Sequence, residues 1–461
     1  MTAARTLPTF RDPAGSLALQ DDCALRTIHP GSRSAVLEFI HSPLYRRMYQ
    51  RGDVIETTVE DHAGVLRLRH PRISVPSYPW EWTPSQWLTA AELTLDLCAE
   101  ALDDGWILKD ATPHNILFTG NRPVLVDVLS FERRNAGSMI WLAYAQYVRT
   151  FYLPLLMHRL LSWPLELSHF RRDGYTPDEL YPLLGWRHRL SLGAFGYITL
   201  PVWLSRHVRK GNAGSAQRSC DPEIALNVLQ RRLHGLRMRT RRAAAIRAEA
   251  SAWSEYAATQ SHYTADEVAQ KREWVRQVLE ETHPVRVLDI GANTGEFSML
   301  AACTGTDVVA LERDAVAAER LYRSSIQAKL PVQTIHADLA RPTPAAGWEH
   351  AESTALLPRL EERFDMVMLL AVMHHLLLME QIPLPAIIAL CHRLTTRYLI
   401  LEWVPASDPM YREMMRGRDQ LYAAISEKDL LRACNGRFQL MRQHTLGNGR
   451  ILYLFQKEIG V

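Results

Sequence analysis

The sequence predicts an α/β fold with a parallel sheet for its C-terminal half. Three observations predict it: apolar strand patterns alternate with helical ones, a glycine-spaced turn follows the first of these strands, and the alternation stops at a hairpin signal near the C-terminus. Parallel strands need long crossover connections, usually helices. Alternation of this kind therefore indicates strands that run in one direction.

The first of these strands runs into the turn Asp289-Ile-Gly-Ala-Asn-Thr-Gly295. Asp289 ends the strand, and Gly291 and Gly295 would let the backbone approach a ligand that a Cβ atom would block. A dinucleotide site requires G-x-G-x-x-G, but Asn293 stands at the second glycine's place and Glu296 lies where a phosphate would be repelled. The turn therefore favours a nucleotide-like ligand without phosphate over NAD.

Further strand and helix patterns follow in order, and two acids, Glu312 and Asp338, come at the ends of strands. Phe438 to His444 and Arg450 to Gln456 flank Leu446-Gly-Asn-Gly449, a hairpin signal. The remaining predicted elements are the strands Thr306 to Glu312, Val332 to Ala337, Phe364 to Ala371 and Thr396 to Glu402, and the helices Ala315 to Ala328 and Leu384 to Leu394.

This order resembles the class I S-adenosylmethionine (SAM) methyltransferases over roughly residues 265 to 461. The resemblance implies a Rossmann-like, seven-stranded sheet with SAM as cofactor. It implies that Glu312 takes the ribose hydroxyls and that Asp338 faces the adenine amino group, although an acid at a strand end is often only a helix N-cap. The SAM-binding residues implied within the domain core are Asp289, Gly291, Asn293, Gly295, Glu312, Asp338 and Ala371.

The same resemblance implies residues that cover SAM and residues that act on the acceptor. A segment before the first strand often covers the cofactor, so Tyr256 and Lys271 are candidate lid residues. His374 and His375 follow the fourth strand, where the acceptor pocket of this fold opens, and a histidine can remove the acceptor's proton. Neighbours on a helix point about 100° apart, so at most one faces the reaction. Alternatively, one packs on the helix and the other shapes the pocket.

The N-terminal half carries a second pattern. Asp110-Ala-Thr-Pro-His-Asn115 follows a helix predicted from Pro84 to Asp103 and precedes a strand that ends at Asp127. It resembles the catalytic loop and metal-binding Asp of protein and aminoglycoside kinases. There the first Asp positions the acceptor hydroxyl, and the Asn and second Asp hold Mg²⁺.

Other parts of a kinase are missing. No lysine precedes Lys109, and no glycine-rich loop occurs in the first hundred residues. In kinases a strand lysine binds the nucleotide phosphates. Arg26, Arg67 or Arg69 could take its place, but a guanidinium is a planar group with several donors and not a point charge. We therefore expect a degenerate kinase-like α+β domain. The alternatives are a phosphotransferase built on Asp110, Asn115 and Asp127 with SAM as regulator, and an ordinary Asp-Asn turn in an unrelated helical domain.

Length and composition limit the number of domains and the kinds of partner that the chain can have. The 461 residues suit two or three domains, predicted as a kinase-like domain (1–215), an arginine-rich helical linker or lid (216–264) and the SAM domain (265–461). The arginines form either a solvated face or a surface for an anionic substrate. A net charge of +3 argues against a nucleic-acid binder, and six scattered cysteines suggest neither a metal site nor disulfides, which fits the cytoplasm.

Two apolar regions require a membrane test. Met139 to Trp163 is interrupted by charged residues, and Leu190 to Leu204 contains Gly193, Gly196 and Pro201 and is too short to span a bilayer. We predict both as core of a helical subdomain, without a transmembrane segment. A peripheral membrane contact is the alternative.

Most of the chain also resembles a bacterial family of class I methyltransferases, some of them nodulation-related. The resemblance implies an enzyme that transfers a methyl group from SAM to an oxygen or nitrogen of a small molecule or saccharide. A non-catalytic alternative is a scaffold whose N-terminal domain binds a protein partner. The segments that carry the resemblance are Phe10-Arg-Asp-Pro-Ala-Gly15, Gly105-Trp-Ile-Leu-Lys-Asp110, Asp127-x-Leu-Ser-Phe-Glu132, Ala371-Val-Met-His-His-Leu376 and Glu402-Trp-Val-Pro405.

Overall fold

The computed structural model describes residues 5–6, 13–20, 22–207, 220–245, 263–415, 417, 419–422 and 425–458. The chain divides into two compact units. The first comprises Met1–Phe118, Pro123–Ala248 and Gly347–Glu352, and the second comprises Thr119–Arg122, Glu249–Ala346 and Ser353–Val461. Tyr256, a predicted lid residue, lies outside the described residues.

The first unit begins with an antiparallel sheet in the order β1-β2-β3-β5-β4. Its strands are Arg5–Thr6 (β1), Gly15–Leu19 (β2), Cys23–Ile28 (β3), Thr58–His62 (β4) and Val65–Pro71 (β5). Two further pairs follow, β6 with β9 and β7 with β8. These strands are Trp106–Leu108 (β6), Ile116–Thr119 (β7), Arg122–Leu125 (β8) and Phe131–Arg133 (β9).

Helices make up most of the rest of the first unit. The helix Pro84–Asp103 has its predicted bounds. Thr83 and Gln86 form a capping box that fixes its start. Two π-helical turns, Val148–Tyr152 and Phe195–Thr199, join shorter helices. The other α-helices are Arg33–Ile40, Pro43–Gln50, Tyr144–Tyr147, Leu153–Leu161, Pro177–Leu180, Trp186–Arg189, Leu192–Ala194, Leu200–His207 and Pro222–Ala244.

The arginine-rich helix Pro222–Ala244 packs against Pro84–Asp103. Its apolar side chains Leu229, Leu233 and Leu236 are buried. Several of its arginines bind groups of the same unit: Arg237 pairs with Asp96, Arg241 with Glu92, and Arg239 Nη1 donates to the Tyr197 hydroxyl at 3.2 Å. These three arginines help to hold the helix in place, whereas Arg231 and Arg242 are exposed, so both alternatives stay predictions for the rest of the run.

The two apolar regions differ in burial. Most side chains from Tyr147 to Met157 are buried, as predicted for a core. The same prediction holds only in part for Leu190 to Leu204. Tyr197, Ile198 and Val202 are buried, whereas the exposed side chains are Leu190, Leu192, Phe195, Leu200, Trp203 and Leu204. Gly193, Gly196 and Pro201 each lie within one of three consecutive helical segments, Leu192–Ala194, Phe195–Thr199 and Leu200–His207, and these segments bury only one side. Within the described part of the chain, no helix has the length and apolarity needed to cross a membrane.

A seven-stranded sheet forms the centre of the second unit, in the order β12-β11-β10-β13-β14-β16-β15. Strands β10 to β14 are parallel, and β16 pairs antiparallel with both β14 and β15. The predicted parallel sheet closed by an antiparallel hairpin is therefore confirmed. The strands are Arg286–Ile290 (β10), Asp307–Glu312 (β11), Val332–His336 (β12), Phe364–Leu369 (β13), Thr395–Trp403 (β14), Phe438–Thr445 (β15) and Ile451–Lys457 (β16).

Helices connect the parallel strands, and the predicted Ala315–Ala328 and Leu384–Leu394 have their predicted bounds. Asp314 accepts a hydrogen bond from Ala317 N, and Lys329 ends the same helix in the left-handed conformation. The other helices are Ala265–Thr282, Glu296–Cys303, Leu356–Leu360, Met373–Leu378, Pro409–Met415, Asp419–Tyr422 and Glu427–Cys434.

Candidate functional site

A cavity of about 270 Å³ lies at the carboxyl ends of β10 to β13 in the second unit. Ligands of open α/β sheets bind at this edge, where the strand order reverses. Of the residues predicted for SAM and acceptor binding that the structure describes, Gly295 and His374 are not part of its lining. Those that line the cavity are Lys271, Asp289, Gly291, Asn293, Glu312, Asp338, Ala371 and His375.

The turn after β10 is held against the end of β11. Gly291 has a φ of +70° and its N–H donates to the Leu311 carbonyl at 2.8 Å. A Cβ atom at position 291 would collide with the Val372 side chain. Asn293 is also left-handed, with a φ of +50°. A glycine is therefore required at position 291 both by the backbone conformation and by the close approach of Val372.

Gly295 has a different role from the one that the sequence suggested. It has a φ of +90° and stands at the N-terminal cap of the helix Glu296–Cys303. A Cβ atom there would collide with Leu321 of the neighbouring helix. The glycine thus allows two helices to pack closely, and no approach of a ligand is needed to explain it.

Two carboxylates of the cavity are buried next to each other. The Asp289 carboxylate accepts a hydrogen bond from Ser298 Oγ at 2.5 Å. Burial raises the pKa of Asp289 to about 6, and the charge of Glu312 contributes in the same direction. The hydrogen bond from Ser298 lowers this pKa but does not offset the rise. Glu312 accepts from the backbone N–H groups of Asn293 and Asp314, both at 2.7 Å. Burial raises its pKa too, although these bonds lower it.

Asp338 lies at a more open part of the cavity. Its carboxylate accepts from Ala340 N at 2.8 Å and pairs with Arg341 at 3.1 Å. Glu380, also in the lining, pairs with both Arg341 and Arg313. Sequence reasoning missed Arg313 and Glu380. Arg313 directly follows Glu312, which is a signal that could have found it, whereas nothing in the sequence links Glu380 to the site.

The two histidines after β13 occupy different environments. His375 lines the cavity, and burial together with Arg313 and Arg450 lowers its pKa to about 4. His374 is 1% exposed, has no hydrogen-bond partner on either ring nitrogen, and has a pKa far below the usual range because of burial. Both imidazoles are therefore neutral near pH 7, and only His375 faces the cavity.

A buried ion-pair network adjoins the cavity. Lys271 Nζ lies 2.7 Å from Glu402, and Arg450 pairs with Glu402 at 3.5 Å and with Asp408 at 2.9 Å. The Tyr263 hydroxyl donates to Glu402 and accepts from Arg450. Burial raises the pKa of Glu402, but Lys271 and Arg450 outweigh it, and the net effect is a lowered pKa.

The network gives Lys271 a second role beside the one predicted for a lid. It lines the cavity, lies 5.2 Å from the Tyr263 ring centroid and 4.9 Å from that of Phe297, and compensates the buried charge of Glu402. Sequence reasoning noted Glu402 at a strand end but could not find its partners. Lys271 and Arg450 are distant in sequence and meet Glu402 only in the folded unit.

The predicted kinase-like residues lie in the first unit. Asn115 Nδ2 donates to Ser130 Oγ at 2.9 Å, and Ser130 Oγ donates to Asp127 at 2.6 Å, so the structure brings Asn115 and Asp127 to one hydroxyl. Arg26 of β3 pairs with the other oxygen of Asp127 at 2.9 Å. Both Asp127 oxygens thus have protein partners. Among the described residues, no group of three or more acids, histidines or cysteines is arranged to hold a metal ion.

Comparison with known proteins gives one relative of nearly the full length. The chain is 27% identical over 476 residues to the nodulation protein NoeA of Rhizobium meliloti, covering 98% of this chain and 96% of that protein. The predicted link to nodulation-related proteins is consistent with this similarity. No protein-family model matches the chain.

Solved structures similar to the chain include two methyltransferases. The magnesium protoporphyrin IX methyltransferase of Synechocystis PCC 6803 with bound SAH is 16% identical, covers 42% of this chain and 84% of its own, and has a TM-score of 0.31. The N-methyltransferase NodS of Bradyrhizobium japonicum WM9 is 11% identical, covers 42% of this chain and 98% of its own, and has a TM-score of 0.32.

Replacing Asp289 by Asn should stabilise the ligand-free protein at neutral and alkaline pH. Because the folded-state pKa is raised from 3.8 to about 6, ionisation of Asp289 costs stability as the pH rises between these values. We expect the melting temperature of Asp289→Asn to exceed that of the parent by several degrees at about pH 8, and by roughly half as much at about pH 5. Asp307→Asn, at an exposed pair with Arg286, is the control and should change little at either pH. A lower melting temperature for Asp289→Asn at alkaline pH would contradict this view of the site.

Replacing Lys271 by Met should destabilise the second unit. The change leaves the buried charge of Glu402 with only Arg450 and Tyr263, and breaking a buried pair in this way costs about 3 kcal/mol. Denaturant unfolding should show this loss for Lys271→Met, and the double variant Lys271→Met with Glu402→Gln should recover part of it. Arg272→Met, next in sequence but exposed, should cost less than about 1 kcal/mol. Equal losses in the two single variants would contradict the assigned role.

Proposed function

We propose that the chain is a SAM-dependent methyltransferase that methylates an oxygen or nitrogen of a small molecule or saccharide. The observation that carries this proposal is the pair of buried carboxylates, Asp289 and Glu312, on the wall of one cavity at the carboxyl edge of the sheet. Among the described residues Asp289 forms no ion pair, and the charge of Lys271 does not offset its burial, so the cavity favours a positively charged ligand.

The residues of the cavity suit SAM group by group. SAM carries an ammonium and a sulfonium, which the charge of Asp289 would attract, and two ribose hydroxyls, which match the oxygens of Glu312. Asn293 Oδ1 is buried without a hydrogen-bond partner and is available to a donor of the ligand. Gly291, in the left-handed turn, is part of the cavity lining. A phosphate would be repelled here, which argues against a dinucleotide.

When bound, SAM would supply an electrophilic methyl group that the acceptor attacks in line with the sulfonium. The chain's part is alignment and removal of the acceptor's proton. His375 is the candidate proton acceptor, because it is neutral and lines the cavity, whereas His374 does not. Lys271 and Tyr263, fixed by Glu402, would form the opposite wall and hold acceptor and cofactor away from water.

We propose a supporting role, without phosphotransfer, for a kinase-like domain in the first unit. The convergence of Asn115 and Asp127 on Ser130 favours the kinase-like reading. The Arg26–Asp127 pair argues against metal binding, because Mg²⁺ would have to displace a guanidinium from a largely buried carboxylate. The domain would then bind the acceptor or a protein partner. Domain boundaries near residues 215 and 264 remain predictions.

Calorimetric titration with SAM tests the proposed cofactor. Asp289→Asn should weaken SAM binding about tenfold or more, because it removes a charge-assisted contact, and Glu312→Gln should weaken it similarly. The affinity of the parent protein for SAM should fall as the pH drops below the Asp289 pKa of about 6, because protonation removes the charge of Asp289. This pH dependence should be much smaller in Asp289→Asn.

The same titration separates binding from folding. Asp289→Asn should bind SAM more weakly although its ligand-free form is the more stable one, so the loss cannot be attributed to unfolding. Asp307→Asn, exposed at the opposite end of β11, should bind like the parent. Undetectable binding in the parent, or unchanged affinity in both site variants, would reject the methyltransferase proposal.

Thermal unfolding with MgATP tests the first unit. We expect no rise in melting temperature, because both Asp127 oxygens are already bound by Arg26 and Ser130. Arg26→Gln frees one oxygen and is the informative variant. A nucleotide- and Mg²⁺-dependent shift in the parent that is lost in Asp127→Asn would instead support the phosphotransferase alternative.

A further inference from the structure

The helices between Trp186 and Leu204 expose an unusual concentration of large apolar side chains. Leu192 is 91% exposed, Trp186 68% and Trp203 54%. Single exposed apolar residues are ordinary, but a concentration within one short segment marks a surface that meets something else. The interface surface is defined by Trp186, Leu190, Leu192, Phe195, Trp203 and Leu204.

These helices already have a packed inner face. Ala194, Tyr197, Ile198 and Val202 are buried within the first unit. Hydrogen bonds also fix the segment: Thr199 Oγ1 donates to the Arg189 carbonyl at 2.8 Å, and Arg189 Nε donates to the Tyr181 carbonyl at 3.1 Å. The exposed residues are thus the outer face of an anchored structure.

The charge of the segment has one sign. From Leu180 to His207 the sequence contains three arginines and no acid. Arg187 lies 5.3 Å from the Trp186 ring centroid and Arg206 lies 5.4 Å from that of Tyr181. Glu179, just before the segment, is paired with Arg171. Asp178 is the other acid of the adjoining helix Pro177–Leu180, and three arginines outnumber it. Apolar side chains are therefore combined with an excess of positive charge, which favours a partner that is apolar and anionic.

We propose that the interface surface binds an anionic lipid bilayer and lies on the membrane without crossing it. Tryptophans prefer the level of the lipid headgroups, leucine and phenylalanine side chains enter the acyl region, and arginines attract anionic headgroups. Acyl chains adapt to protruding side chains, whereas a protein partner would need a pocket for each of them.

A second copy of the chain fits this surface less well than a bilayer does. Self-association through the interface surface would bring Arg187, Arg189 and Arg206 of one copy close to the same arginines of the other. Like charges in an interface cost binding energy. Membrane binding would use only residues of the first unit, so it does not depend on whether the second unit transfers methyl groups.

Co-sedimentation of the full chain with lipid vesicles, without SAM, tests the proposal. The parent should bind vesicles of phosphatidylcholine mixed with phosphatidylglycerol more strongly than vesicles of phosphatidylcholine alone, and added salt should weaken this preference. Trp186→Ser with Trp203→Ser should lower the partition coefficient about tenfold or more on both vesicle types. Arg187→Gln with Arg206→Gln should remove mainly the preference for anionic lipid.

A matched control uses exposed apolar residues of the second unit. Val285→Ser with Met441→Ser removes side chains of similar exposure and should leave vesicle binding unchanged. Melting temperatures verify folding, and Leu192→Ser alone replaces the tryptophan variant if that variant unfolds. No binding of the parent to anionic vesicles, or an equal loss in the control, would overturn the proposal. So would a concentration-dependent dimer that the tryptophan variant abolishes, since a second copy would then cover the surface.

Discussion

The second unit is organised around the contact between the turn after β10 and the end of β11. The Gly291 N–H bonds to the Leu311 carbonyl, and the Asn293 N–H bonds to the Glu312 carboxylate. The first bond extends the backbone pairing of β10 with β11, and the second ties the turn to the Glu312 side chain. They bring Asp289 and Glu312 to one wall, and the rest of the cavity is built around that wall.

Two buried carboxylates at this edge of the sheet have opposite pKa shifts because their partners differ. Asp289 and Glu402 are both almost fully buried, and burial raises the pKa of each. Glu402 has Lys271 and Arg450 beside it, and its net pKa is lowered. Asp289 accepts hydrogen bonds from Ser298, which are too weak to offset burial, and its net pKa is raised. One acid is thus satisfied within the protein, while the other is satisfied best by a ligand.

The sequence allowed the sheet and its long helices to be predicted, because continuous apolar runs and local caps specify them. Ala315–Ala328, for example, is delimited by Asp314 and Lys329. Long-range pairings could not be predicted: Lys271 meets Glu402 across more than a hundred residues. The exposure of Leu190 to Leu204 was also missed, because composition shows that a residue is apolar but not how many faces its short helix can bury.

Gly295 also bears on how related sequences should be read. Its missing Cβ atom makes room for Leu321, so its loss would disturb the packing of two helices whether or not a ligand ever binds. A descendant that abandoned its chemistry would still be under pressure to retain this glycine. Asp289 differs, because its ionised form penalises the ligand-free protein and an inactive descendant would gain stability by losing it. The aspartate is therefore the better marker of a working site among such relatives, and the glycine a marker of the fold.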